Sequence, residues 1–346
     1  MRKFVPAHVV VPNMTTTTTY RSPALDLPAA VGDTGHDFGV AAHYGEPLKE
    51  QREMLAGRAA VDLSHRDVVR ISGPDRLELL HTLTTQFFSA LPAWQATSGL
   101  VLDANGRVQH AFDGVDDGST FLLHTEPGRA AAQVEYLVAM RFWSDVEVSE
   151  DTAEVAVVHE RIPEPAAHPS RVTEHARDVF VPRSELVDYL RSSPAVAGVW
   201  AYEALRIADG SPRLGVDTDE KAIPNEMNWL GSAVHLDKGC YRGQETVARV
   251  HNLGRPPRRL TLLHLDGTEE RLPETGAEIK PADKEGARPT GRVGSSAQHH
   301  ELGPIALALV KRSVPVDTPL LADGIPANQE VVVDPDIGLH VRPTLG

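Results

Sequence analysis

One cysteine in 346 residues, Cys240, excludes an internal disulfide and any site held by four thiolates of a single chain, so neither oxidation nor a thiolate-held metal maintains this fold. Long apolar runs are also missing: Ile305 to Val310 is among the longest and falls far short of the roughly 20 residues a membrane span needs. At the N-terminus Arg2 and Lys3 precede only the brief run Val9 to Val11 and then Pro12, too short for a secretory signal, so a cytoplasmic chain off the membrane is expected. Basic residues are few. The 34 Lys and Arg stand against 48 Asp and Glu, a formal charge of −14 that repels nucleic acid and anionic lipid, and no stable nucleic-acid binding is expected. Neither a Walker-type loop nor an HExxH motif occurs, and His299-His300 beside Glu301 lacks a third ligand at a recognised spacing, so no metal is expected. Aromatic residues make up 5% of the chain, which leaves Trp229 and Tyr241 either to stack on a flat ligand or to anchor the core.

What is present builds an α+β protein. An apolar fraction of 41% suffices for a real core, and the length suggests two or three units. Val68 to Ser72 reads as a strand passing through Gly73-Pro74-Asp75 into a helix with Leu77, Leu80 and Leu83 at helical spacing. Leu100 to Asp103, Arg107 to Asp113 and Thr120 to Thr125 read as a meander, its reversals marked by Asn105-Gly106 and Asp117-Gly118. Helices are expected over Ala130 to Met140, Ser184 to Arg191 and Trp200 to Ala208, with another strand over Ala153 to His159. Arg255-Pro256-Pro257-Arg258 breaks any regular element and marks a boundary. The expected organisation is a flexible tail over 1–24, two interleaved subdomains over 25–254, and an antiparallel β-barrel over 255–346 carrying runs such as Ile305 to Val310 and Val331 to Val333.

The chemistry concentrates between Lys238 and Arg259, where six basic residues face one acid, Glu245, in an otherwise acidic chain. Clustered guanidinium groups suit a carboxylate or phosphate ligand, or else form a solvated strand face and linker. Within this stretch Lys238-Gly239-Cys240-Tyr241-Arg242-Gly243-Gln244-Glu245 packs a thiol, cations, a phenol and acceptors between glycines that permit close approach of a ligand. Lys238 and Arg242, if they face the thiol, make Cys240 a better nucleophile; otherwise the cysteine fills space. His235 or His251 is a conceivable base for it.

That string, followed by Val247-Ala248-Arg249, resembles the KGCYxGQE signature of the YgfZ family of folate-binding proteins. Leu205 to Gly210, Ile223-Pro224-Asn225-Glu226, Val61 to His65 and Ser72 to Asp75 extend the likeness, the last two being similar to the opening of the glycine cleavage T-protein superfamily. Gly303 to Val310 is similar to a strand of that superfamily's C-terminal barrel. The resemblance implies a ring of three units around a central cavity holding tetrahydrofolate, with the signature cysteine near it. It implies Cys240 and Lys238 as catalytic residues, with Gly239 and Gly243 shaping their loop. Asp103, Arg206, Tyr241, Gln244, Glu245 and Arg249 are implied as folate-binding. It also implies iron–sulfur client or assembly proteins as partners and a link to transfer RNA modification.

The chain departs from the true aminomethyltransferases of the superfamily. Their paired aspartates after the first hairpin are replaced here by Gln109 and His110, which lack the negative charge that stabilises an iminium-like transition state. Their pterin-gripping glutamate is replaced by Ala208, with Asp209 beside it. Aminomethyl transfer is therefore not the expected activity. A one-carbon enzyme of another kind and a non-catalytic folate-binding adaptor stay open beside iron–sulfur maintenance.

Overall fold

The computed structural model describes residues 20–283 and 286–339. Two five-stranded sheets and a closed six-stranded barrel make up its frame. The meander forms the first sheet: Thr97–Leu102, Val108–Asp116 and Thr120–Thr125 pair in succession, and Asp67–Ser72 and Glu147–Glu150 complete it, all antiparallel. Period-two alternation sorts its side chains. Val69, Ile71, Phe121 and Leu123 pack under the helices Arg76–Leu83 and Ala130–Met140, while Val68, Val115 and Leu122 face the second sheet.

The second sheet runs Ser170–Val172, Arg177–Pro182, Val155–Glu160, Ala59–Asp62 and Ala195–Ala197, with only the last pair parallel. Val61, Val157 and Phe180 join the core shared with the first sheet, and Ala60, Val158, Val179 and Val181 pack beneath the helix Leu186–Ser192. Because the chain leaves Ala59–Asp62 in one sheet and enters Asp67–Ser72 in the other, the two halves are interleaved.

The helix Val199–Ala208 ties the units together. Gly198 at its start lies against the backbone of Ala42, where a Cβ would fall 2.2 Å from the carbonyl oxygen, so only glycine allows the approach. One face of this helix, Val199, Ala201 and Leu205, belongs to the shared core. The other, Ala204 and Ile207, packs on Leu260 and Leu307 of the barrel. The barrel order is Arg258–Leu265, Gly303–Lys311, Gly291–His299, Glu278–Pro281, Leu320–Ala322 and Ile325–Val331.

Three expectations need correction. The loose tail over 1–24 is packed from Tyr20 onward, because Ser22 donates its N–H to the Gly39 carbonyl at 2.7 Å and both Ser22 and Ala24 are fully buried; residues 1–19 lie outside the described residues. The last strand is Ile325–Val331 rather than Val331 to Val333, since an Asp334 turn follows, in which the side chain accepts from Asp336 N–H at 2.8 Å. The stretch after the cysteine loop is neither strand nor linker but the helix Gln244–Leu253.

Candidate functional site

A cavity of about 720 Å³ opens where the C-terminal end of Val199–Ala208 meets the two sheets. Leu205, Arg206 and the turn Asp209 to Leu214 form one wall. The first sheet contributes Leu100, Asp113, His124 and Glu126, the second contributes His159, Arg171 and Asp178, and Trp229 and Leu230 close the far side. Among the described residues, none of the barrel lines it.

Two ionic networks set its shape. Arg213 is the hub of the first, reaching Asp37 at 2.9 Å, Glu126 at 2.6 Å and Glu203 at 2.9 Å. Arg206 pairs with Glu203 and, at 3.1 Å, with Asp217. Asp217 in turn accepts from the Ser295 N–H and hydroxyl at 2.7 Å, which fastens the network to the barrel. Burial alone would raise the Glu126 pKa, but Arg213 and Arg66 hold it at about 2. Asp178 is the hub of the second network, with His159 at 2.8 Å, Arg171 at 3.1 Å and His124 at 3.3 Å. Burial opposes its charge, yet the His124 and His159 rings beside it, the latter hydrogen-bonded to it, keep it well below the ordinary carboxylate range. Buried ions this thoroughly paired are costly to break and fix side-chain positions. Arg161 differs: its partner Asp209, at 2.8 Å, is half-exposed, so this cation can exchange its partner for a ligand carboxylate.

The cysteine loop lies elsewhere. Gly243, at φ +81°, packs against the Asp103–Gly106 turn, and a Cβ on it would come 2.5 Å from the Asp103 carbonyl oxygen. Gly106, at φ +78°, answers with Thr246 pressed against it. The loop and the first hairpin are thus joined backbone to backbone. Lys238 is a staple: its buried ammonium donates to the carbonyls of His81, of Thr84 at 2.7 Å and of Gln86 at 3.0 Å. Burial pushes its pKa down to about 8, which still leaves it charged at neutral pH. All three of its protons are committed to carbonyls, so the expected catalytic partnership with the thiol is not what this side chain performs. Cys240 is exposed. Tyr241 is buried among Leu100, Leu102, Leu214 and Val247, the apolar layer behind the cavity wall, and burial pushes its phenol up to about 12.

The expected site residues therefore fall into three groups. Arg206 lines the cavity. Asp103, Cys240, Glu245 and Arg249, with Gly239 and Gly243, line neither it nor the smaller hollow of about 380 Å³ that Tyr241 and Gln244 share with Val247 and His251 of the helix Gln244–Leu253. Trp229 faces the cavity whereas Tyr241 does not. The residues that shape the cavity most, Arg66, His124, Glu126, Asp178 and Arg213, carry no signal in the sequence because they come from four separate stretches of chain and form no recognised spacing.

In fold, the chain matches the glycine cleavage system aminomethyltransferase T from Bartonella henselae with a TM-score of 0.71 over 89% of this chain and 94% of that one, at 18% identity. The fold is that of aminomethyltransferase T. In sequence the chain is 25% identical over 286 residues to the Arabidopsis thaliana protein "Putative transferase At1g60990, chloroplastic", spanning 71% of this chain and 65% of that one. It is 35% identical over 109 residues to the Escherichia coli tRNA-modifying protein YgfZ, spanning 31% of this chain and 33% of that one. The chain thus spans less than two thirds of either relative. No family model matches it. It is YgfZ-like in sequence and T-protein-like in fold.

Within the aminomethyltransferase T fold, the replaced positions take up other roles. His110 is half-buried and stacks on Tyr136 at 6.3 Å, its pKa is pushed down to about 4 by burial and then by Arg129, and it does not line the cavity. Asp209, beside the altered Ala208, does turn inward to the cavity and meets Arg161 there. Among the described residues no helix is long and apolar enough to cross a membrane.

Proposed function

We propose that the chain binds a reduced folate in the central cavity and offers Cys240 at its surface to iron–sulfur client or assembly proteins, in the cytoplasm. The cavity carries this reading. Its volume of about 720 Å³ lies within the roughly 300–1,000 Å³ of small-molecule sites. Leu100, Leu214, Trp229 and Leu230 offer apolar surface to a heteroaromatic ring, and Arg161 can meet a glutamate tail. The inner arginines are already saturated by carboxylates, so Arg206 holds the wall in place instead of gripping the ligand.

The thiol's exposure and its absence from the cavity lining favour an action on another macromolecule over one on the cavity's contents. A single thiolate cannot hold a cluster alone, so any cluster would be shared with a partner's thiols. The transfer RNA modification named for the Escherichia coli relative would then reflect an iron–sulfur enzyme served in this way. Calorimetric titration with tetrahydrofolate tests the cavity: we expect one site per chain, weakened about tenfold in Trp229→Ala by loss of the stacking surface. Absence of binding, or an unchanged affinity in that variant, counts against it. Loss of cellular rescue of iron–sulfur enzymes in Cys240→Ala, with folate binding intact, supports the role of the thiol.

A further inference from the structure

Arg66 is the exception among the inner arginines of the cavity wall. Arg171, Arg206 and Arg213 each donate from all three guanidinium nitrogens to protein acceptors. Arg66, 5% exposed, makes one hydrogen bond, from Nη2 to the Tyr202 hydroxyl at 3.4 Å. Its nearest carboxylate, Glu126, stands 3.5 Å from that same nitrogen and is held more closely by Arg213, at 2.6 Å. Nε is buried without a partner, and among the described residues Nη1 has none either. A buried donor left unmet is costly, and a guanidinium stays charged and can only donate.

Tyr202 lines the cavity beside it, on the helix Val199–Ala208. The Arg66 guanidinium lies 5.5 Å from the centre of its ring, and His159 packs edge-on against the same ring at 5.0 Å. The hydroxyl accepts from Arg66, while its own hydrogen has no acceptor among the described residues. Burial raises the phenol pKa, so the hydroxyl keeps that hydrogen at neutral pH. Two donors therefore stand side by side in the cavity wall without an acceptor.

The charged and titratable groups that face Arg66 are Tyr202, Glu126, Asp37 and Arg213, so two guanidinium groups already balance two carboxylates. A further anion would be a surplus buried charge, whereas an uncharged oxygen would not. We infer that Arg66 and Tyr202 form a two-donor clamp for an uncharged carbonyl oxygen at the buried end of the cavity's ligand. The clamp rests on the folate reading for the identity of that ligand. Arg161, with its half-exposed partner, takes the anionic tail, and the carbonyl farthest from that tail, on the pterin ring, falls to Arg66. The pair thereby fixes which way round the molecule lies.

Two measurements decide it. Calorimetry compares tetrahydrofolate with its counterpart bearing an amino group in place of the pterin oxygen, which sets a donor against the clamp. The wild type should prefer the carbonyl compound by about tenfold, and Arg66→Met, similar in length, should bind both within about twofold. Tyr202→Phe, which loses only a hydroxyl and keeps the test open should Arg66→Met not fold, should lower the preference to about threefold. Equal affinities in the wild type, or a preference unchanged in either variant, overturns the inference. The second measurement needs no folate. In protein with isotope-labelled arginine, the Arg66 Nε–H NMR signal, assigned by its contacts to the Tyr202 ring, should shift with the neutral lactam pyrrolidinone and not with acetate. A shift with acetate, or with neither compound, overturns the inference. A wild type that responds to the lactam but binds no folate upholds the clamp and overturns the folate reading.

Discussion

The cavity wall and the cysteine loop are built on opposite principles. The wall gathers Arg66, Glu126, Asp178 and Arg213 from four separate stretches of chain and seals them into buried ion pairs, so its chemistry exists only in the folded state. The loop is contiguous, held by glycine contacts and by one lysine, and presents its thiol to solvent. A compact motif can thus be the most recognisable feature of a chain without lining a cavity of ligand size.

Breaking the wall should have the largest effect. Arg213→Ala removes the partner shared by Asp37, Glu126 and Glu203 and leaves them only His65, Arg66 and Arg206 respectively, and denaturant unfolding should show a loss of about 3–5 kcal/mol. Acid attacks the same place. The folded pKa of Glu126, about 2, lies below its unfolded value of 4.5, so its contribution is complete above pH 4.5 and disappears as pH falls through about 2. That amounts to about 3 kcal/mol. An acid-unfolding curve should therefore steepen in this window, and in Arg213→Ala the loss should begin at higher pH.

The loop should respond more mildly. Gly243→Ala forces a Cβ into the Asp103 carbonyl at a left-handed φ, and should cost about 1–3 kcal/mol in the same unfolding assay while pushing the hairpin and loop apart. Lys238→Met leaves three carbonyls without their donor, and hydrogen exchange should accelerate through residues 84–88, with a stability loss of about 1–2 kcal/mol. Cys240→Ser, at an exposed position, should change stability by no more than about 0.5 kcal/mol. A large effect there would place the sulfur in packing and erase the contrast between the two regions.

Local pattern made much of the fold legible. The helix Ala130–Met140 keeps the bounds its sequence suggests, and the meander follows its Asn-Gly and Asp-Gly turns. The barrel was signalled by its short β-type runs and by the proline break before Arg258. The helix Gln244–Leu253 was hidden because its polar, basic composition gives only a narrow apolar stripe, with Val247 its one buried residue. Of the candidate site, the likeness to related proteins pointed to Arg206, which lines the cavity, and to Asp103 as facing the ligand, whereas the Asp103 turn packs against Gly243 and does not line the cavity. Lys238 misled because spacing places a cation next to a thiol without showing that its ammonium turns into the carbonyls of another turn. His124 and Asp178, 54 residues apart by their numbering, become neighbours only when the two sheets meet.

The central claim is that ligand cavity and thiol are separate sites, and the lone cysteine makes it directly testable. Cys240 can be capped with a bulky maleimide and the conjugate titrated with tetrahydrofolate beside the untreated protein. Affinities equal within about twofold are the predicted result. Loss of folate binding on capping would contradict it and return the sulfur to the cavity.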